Sequence, residues 1–369
     1  MNVDKVREDF PILRQKVNGK EFIYFDSACT TLKPKQVVDA ILAYYSEYTA
    51  CAGRSVHKFA TITTKDCEKA REKVAKFINA KRPEEIIWTK NTTEAMNIIS
   101  HSFKFGKGDK VLTTNLEHSS GLMPWQLKSQ EGGIILDFVS CNKEGEFNLE
   151  DFKKKIDKKT KLISIIHASN VTGTKTPLEE IIKISHDNGS LVLVDGAQSV
   201  PHCSIDVRKM DIDFLAFSGH KMCGPTGIGC LYGKHELLND LKPFILGGET
   251  ITDADMKTHK LEDVPMRFEA GIQNYAGIIG LGATVDYLSN IGMKNIENYE
   301  KELTKELTKG LLSLGVDLLG PQDYNRRTAL AAFNFKGMDP HDIAILLDEQ
   351  NIFVRSGMHC AYPIHKFLG

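Results

Sequence analysis

The chain has 369 residues, 41% hydrophobic and 26% charged, which is the composition of a globular protein large enough for two domains. Its 47 lysines and arginines nearly balance 48 aspartates and glutamates, so charge gives no case for a nucleic-acid or anionic-membrane partner. No apolar run approaches a membrane span, and the opening MNVDKVREDFPILRQ lacks the apolar core of a signal peptide; a cytoplasmic enzyme is expected.

Apolar runs alternate with amphipathic stretches along most of the chain. EEIIWT (84–89) reads as a strand and leads into a helix start, NTTEAMN. There Thr92 or Thr93 either caps the helix or joins its free N–H groups in an anion site. KVLTT (110–114) is the next strand, and His118 lies just past it, placed to stack on a planar ring or shuttle a proton. GIILDFVS (133–140) and KLISIIHAS (161–169) follow, with Asn170 beyond the second. Taken alone, His118 and Asn170 each read as an ordinary satisfied loop residue, and the argument rests on several strand ends each carrying a suitable group. PLEEIIKISHDNG (177–189) is a helix ending on the stop signal Asn188-Gly189. SLVLVDG (190–196) ends at Asp195, a carboxylate that is costly there unless paired. A protonated pyridine nitrogen suits it, or it caps the following turn; Gln198 is then in reach of a phenolic oxygen.

FLAFSG (214–219) runs into the glycine-rich loop SGHKMCGPTGIG. Ser218 and His220 can donate to an anion, and Lys221 can carry a charge or form a Schiff base. Gly224, Gly227 and Gly229 let backbone approach a ligand. A phosphate-bearing cofactor held on Lys221 explains the set; a solvated turn is the plain alternative. After about residue 260 the pattern changes. Helical stretches at 275–292 and 295–315 precede TALAAFNFKG, a helix at 339–350 and NIFVRSG, which together read as a smaller α+β domain. Uniformly apolar strands separated by helices imply an α/β fold whose largely parallel sheet is covered on both faces, with ligands at the carboxyl ends of its strands. The eight cysteines form no CxxC pair or zinc spacing, so no metal is expected; most read as small buried hydrophobes, with Cys360 set apart.

The succession TTEAMN, EHSSGLMPWQ, ASNVTGT, VDGAQ, SGHKMCGPTGIG, RFEAGIQN and RSGMHCAYP resembles the Suf-type (group II) cysteine desulfurases. These belong to the class V branch of the fold-type-I pyridoxal-phosphate enzymes. The resemblance implies a large domain over 18–258, with a mostly parallel, mixed seven-stranded sheet between helices. It implies a smaller α+β domain from 1–17 and 259–369. By the same resemblance Lys221 is the Schiff-base lysine, Asp195 faces the pyridinium nitrogen, Gln198 the ring oxygen, and His118 stacks on the ring. Thr92, Thr93, Ser218 and His220 hold the phosphate, while Asn170 and His57 line the substrate side. Cys360 takes the sulfur of L-cysteine as a persulfide, leaving L-alanine, and Arg355 and His359 nearby favour its thiolate. A Suf-type acceptor protein then collects the sulfur for iron–sulfur cluster assembly, and the enzyme is a homodimer.

The sequence departs from the family pattern at three places. Ile272 and Met358 stand where threonine and histidine are common. The family's carboxylate-binding arginine lies beyond the position of Gly369, which leaves Arg355 as the candidate for that task. Selenocysteine lyase or cysteine-sulfinate desulfinase would use the same site. A shortened, catalytically weak scaffold or regulatory homologue is the rival of another class. A nicotinamide-binding fold is disfavoured, since no GxGxxG follows the early strands.

Overall fold

A computed structural model describes residues 1–369. Helix α1 (Val3–Glu8) and strand β1 (Ile23–Tyr24) open the chain, followed by the amphipathic helices α2 (Lys35–Glu47) and α3 (Lys58–Phe77). Strands and helices then alternate: β2 (Ile86–Thr89), α4 (Thr92–Ser102), β3 (Lys110–Thr114), α5 (Ser119–Gln130), β4 (Ile135–Val139), α6 (Leu149–Lys155), β5 (Thr160–Ile166), α7 (Leu178–Asn188) and β6 (Leu191–Asp195). Next come β7 (Phe214–Ser218), β8 (Gly229–Gly233), α8 (His235–Asp240) and the hairpin β9 (Ile251–Ala254) with β10 (His259–Leu261). The remainder holds α9 (Tyr275–Ile291), α10 (Met293–Ser313), β11 (Asp317–Leu318), β12 (Phe333–Asn334), α11 (Pro340–Asp348), β13 (Ile352–Phe353) and α12 (Tyr362–Leu368). No helix is long and apolar enough to cross a membrane.

Seven strands form one sheet in the order β2-β8-β7-β6-β5-β3-β4. Only β8 runs against its neighbours. It returns beside β7 without a crossover helix, and an antiparallel partner needs none. Both faces are apolar, so neighbouring residues of one strand enter different cores. Leu112, Ile163, Val192 and Leu215 pack on one side, and Val111, Leu162, Leu193 and Phe214 on the other. This is why the strands read as continuous hydrophobic runs. Because β2 to β7, apart from the reversed β8, point the same way, the ends at Thr89, Thr114, Ile166, Asp195 and Ser218 share one edge of the sheet.

The outer edge of β2 is covered by an ion pair. Arg71, on α3, meets Glu269 bidentately at 2.8 Å for both bonds and also donates to Ile86 O. Glu269 Oε1 accepts the Trp88 N–H at 2.8 Å. The pair therefore occupies the hydrogen-bonding positions that a further strand would take.

Helix α9, which lies in the C-terminal part of the sequence, packs against α2 and α3, and its Ile278, Leu281 and Val285 belong to the larger core. Gly280 permits the approach: a Cβ there would lie 2.6 Å from Pro225 Cγ and 2.9 Å from Ile41 Cγ1. Beyond α9, β11 pairs with β12, and β13 pairs in parallel with β1 (Ile23 with Ile352, Tyr24 with Phe353). The N-terminal segment is thereby joined to the C-terminal one.

Candidate active site

A cavity of about 1600 Å³ lies between the shared strand-end edge and the C-terminal part. It gathers Thr92, Thr93, His118, Asn170, Asp195, Gln198, Ser218, His220, Lys221, Arg355 and Cys360. His57 is not on its wall: it is exposed at the start of α3, where its Nδ1 accepts the Ala60 N–H at 3.4 Å. Within the single chain His57 thus serves as a helix cap and is not brought to the cavity.

At the start of α4 the expected cap is also corrected. Asn91, with extended backbone, is the cap and accepts the Glu94 N–H at 3.0 Å, so Thr92 and Thr93 are the first helical residues. Thr92 N–H donates to Ser218 Oγ at 2.8 Å, which ties this helix start to the end of β7. Thr93 Oγ1 pairs with Ser120 Oγ at 2.6 Å. The close approach depends on Gly229, since a Cβ there would lie 2.7 Å from Phe217 O and 2.8 Å from Asn91 Cα. The result is a corner of hydroxyls beside a helix N-terminus, which suits a phosphate.

Lys221 ends a single 3₁₀ turn that follows β7. The turn is pinned through the His220 carbonyl. That oxygen accepts from Thr31 N–H (3.0 Å), Thr31 Oγ1 (3.0 Å), Thr30 Oγ1 (3.2 Å) and Lys33 Nζ (3.1 Å). Burial holds the Lys221 amine below the ordinary lysine value, against the opposing charge of Asp195. Burial, with the charges of Lys221 and Lys33 added, holds His220 down to about 4, so its ring is neutral.

Asp195 is only 2% exposed. Its Oδ1 accepts the Ala197 N–H at 2.9 Å, and Oδ2 has no partner in the chain. It therefore caps its turn and still presents one oxygen to the cavity. Gln198 Nε2 donates to Ala28 O at 2.7 Å, leaving its second N–H. His118 Nδ1 accepts the Ser120 N–H at 3.1 Å, so the proton of the neutral ring sits on Nε2. Burial keeps this ring below the ordinary histidine value.

The Cys360 loop carries left-handed backbone at two successive non-glycine residues, His359 (φ 48°) and Cys360 (φ 54°). Such geometry persists only where surroundings hold it. Here Ser119 donates through N–H (2.7 Å) and Oγ (2.8 Å) to Cys360 O, and Asn170 Nδ2 donates to His359 O at 2.8 Å. Asn170 Oδ1 remains buried and unpartnered. The expectation that His359 adds charge beside Cys360 is corrected, and Arg355 brings its charge already paired. Burial, reinforced by His365 and Arg355, pushes His359 below the ordinary histidine value, so it is neutral. Arg355 is already paired with Asp26, through Nε at 3.1 Å and Nη2 at 3.3 Å, and only Nη1 is uncommitted.

Sequence reading missed Asp26, Cys29 and Lys33, all in DSACTTLKP. Cys29, which the sequence reading did not single out, is half-buried on the cavity wall. These residues carry no local signal; their proximity to Lys221 arises from the fold. Together the hydroxyl corner, the unpartnered Asp195 and Asn170 oxygens and the buried Lys221 amine fit pyridoxal phosphate and an amino-acid substrate.

The description "Aminotransferase class-V" matches residues 23–369. The chain is 44% identical over 368 residues to a probable cysteine desulfurase of Synechocystis sp., covering 98% of this chain and 88% of the relative. It resembles the apo structure of a cysteine desulfurase from Thermococcus onnurineus with a TM-score of 0.94 at 43% identity, covering 99% of this chain and 90% of that one. It resembles the Escherichia coli cysteine desulfurase CsdA, in an S-sulfonic acid form, with a TM-score of 0.91 at 34% identity, over 100% of this chain and 91% of that one.

Proposed function

The chain belongs to the class-V aminotransferase family as a pyridoxal-phosphate-dependent cysteine desulfurase, and from this we propose that it is of the Suf type and carries its sulfur on Cys360. It converts L-cysteine to L-alanine and mobilises sulfur for iron–sulfur cluster assembly through a sulfur acceptor. The observation that carries the site assignment is the meeting of Lys221, Asp195 and Cys360 in one cavity. The short connection between β13 and α12, which holds Cys360, supports the Suf type, because a short loop keeps the thiol at the cavity and the acceptor protein must come to it.

Bound pyridoxal phosphate supplies an electron-accepting ring that weakens the bonds at the substrate Cα and Cβ. Lys221 holds the cofactor and moves the Cα proton, since burial favours its neutral amine. With the cofactor bound, Asp195 Oδ2 would pair with the pyridine nitrogen, Gln198 would offer its free N–H to the ring oxygen, and His118 would stack on the ring. Thr92, Thr93, Ser218 and neutral His220 would hold its phosphate. Asn170 Oδ1 accepts from the substrate amine, and Arg355 offers Nη1 to the carboxylate. The Cys360 thiolate attacks the substrate sulfur.

The exposed Val56 (97%), Leu42, Tyr45 and Phe59 on α2 and at the start of α3 support a homodimer. His57, beside them, joins a substrate site only across that interface. We propose two domains divided near residue 258, with α9 of the second part packed into the core of the first. A cytoplasmic location is part of the same proposal.

Alanine formation from L-cysteine by the cofactor-loaded protein tests the function. Lys221→Ala is expected to abolish it, together with the covalent cofactor absorbance. Retention of a covalently linked chromophore in that variant refutes the role of Lys221.

A further inference from the structure

Of the eight cysteines, only Cys29 and Cys360 line the cavity. The fold brings them there together. Strands β1 and β13 run parallel, and Phe25 N–H extends their ladder to Phe353 O at 2.8 Å. Both segments therefore leave the same end of one ribbon and enter the same cavity, one carrying Cys29 and the other Cys360. The pair Asp26–Arg355 fastens the two departing segments side by side. Cys29 follows at once, in a turn where its own N–H and that of Thr30 donate to Asp26 O at 3.0 and 3.2 Å. Thr30 and Thr31 then anchor the turn to the His220 carbonyl, next to Lys221. Cys29 is half-buried, whereas Cys360 is exposed.

We infer that Cys29 is a second sulfur-holding thiol, which takes the outer sulfur from the Cys360 persulfide. The inference rests on the reading of Cys360 as the first sulfur acceptor. The Cys29 thiolate attacks the outer sulfur of Cys360–S–SH. A bond forms between Cys29 Sγ and that sulfur as the bond to Cys360 Sγ breaks. The bonding pair leaves with Cys360 as a thiolate, and the persulfide proton stays on the transferred sulfur. No external oxidant or reductant enters, and the driving force is that of ordinary thiol exchange. The exchange frees Cys360 for another turnover while the first sulfur waits at a less exposed position, so one chain stores two persulfide sulfurs when no acceptor is present.

The test is to give the cofactor-loaded enzyme L-cysteine without acceptor or reductant, then to alkylate it and read intact mass and peptide masses. The wild-type chain is expected to gain two sulfurs, one on Cys29 and one on Cys360, with an alanine burst of two per site. Cys29→Ser and Cys29→Ala are expected to gain one, with the burst halved, and Cys360→Ser to leave Cys29 unmodified. An unmodified Cys29 in the loaded wild-type chain overturns the inference whatever the variants do. So does a Cys29–Cys360 disulfide with released sulfide, or a chain of two sulfurs on Cys360 in the Cys29 variants. Sulfur on Cys29 with normal alanine formation in Cys360→Ser instead overturns the prior reading of Cys360 as the first acceptor.

Discussion

Replacing Glu269 with alanine strips the cover from the outer edge of β2. Arg71 keeps Ile86 O and the Trp88 ring, 5.0 Å from its guanidinium carbon, but loses its counter-charge. Its side chain is only 15% exposed, so water replaces little of what is lost. Trp88 N–H loses its acceptor at the same time. Deleting one partner of a buried ion pair costs about 3–5 kcal/mol, and an orphaned buried N–H costs about 1–3 kcal/mol. The two costs overlap, because a single carboxylate serves both groups, so a loss of about 4 kcal/mol is expected. Glu269→Gln keeps a single neutral acceptor oxygen, shared by Trp88 N–H and Arg71 Nη1, while its amide NH2 faces Nη2, and is expected to lose about half as much, ~2 kcal/mol. Urea unfolding followed by far-UV circular dichroism, analysed by linear extrapolation, measures both. A loss below ~1 kcal/mol for the alanine variant, the level of an exposed pair, refutes the edge-covering account.

Three other outcomes are expected. Lys33→Met removes one charged donor from the His220 carbonyl while three others remain, so cofactor affinity should fall by roughly tenfold, at the low end of a charge-assisted hydrogen bond; unchanged affinity and an unchanged absorbance titration of the bound cofactor exclude a positioning role. His167 and His220 are both held down to about 4 by burial, below the ordinary 6.5. The unfolded chain thus binds protons that the folded chain excludes, so their contribution is full above the unfolded value and is lost as pH falls from 6.5 towards 4. Urea midpoints should therefore drop on acidification across that window, and less steeply in His167→Asn; equal slopes in the two proteins refute the assignment to His167. Cys360→Ser should keep the absorbance response of the cofactor to L-cysteine and lose alanine turnover, and full turnover would exclude the persulfide step.

The sheet was legible because its strands are apolar on both faces and several run into polar residues at their carboxyl ends. Asp195, Ser218 with Lys221, and the residues after Thr114 and Ile166 could be assigned to one edge from that pattern alone. Strand β8 was not legible, since Gly229 and Gly233 bound it and the glycines read as a ligand loop. Asn91 was overlooked as a cap because two threonines follow it, and only the backbone at Asn91 distinguishes them. The Asp26–Arg355 pair, Lys33 on the His220 carbonyl and the placement of Cys29 depend on contacts between residues far apart in sequence. No periodicity or spacing encodes such contacts. His57 illustrates the reverse case, a residue carried over by resemblance whose own chain gives it a different local task.

The ribbon of β1 and β13 also sets an order on the making of the protein. Synthesis proceeds from the N-terminus, and the residues of the seven-stranded sheet, through Gly233, leave the ribosome well before Ile352 is made. Ile23 must wait for that late partner, so closing this long loop is deferred. Until then the Lys221 turn can settle on the sheet while the Cys29 and Cys360 segments lack the strand pairing that sets them side by side. The nascent chain thus has its amine in place before its paired thiols, and sulfur chemistry begins only once the wall that confines it has closed.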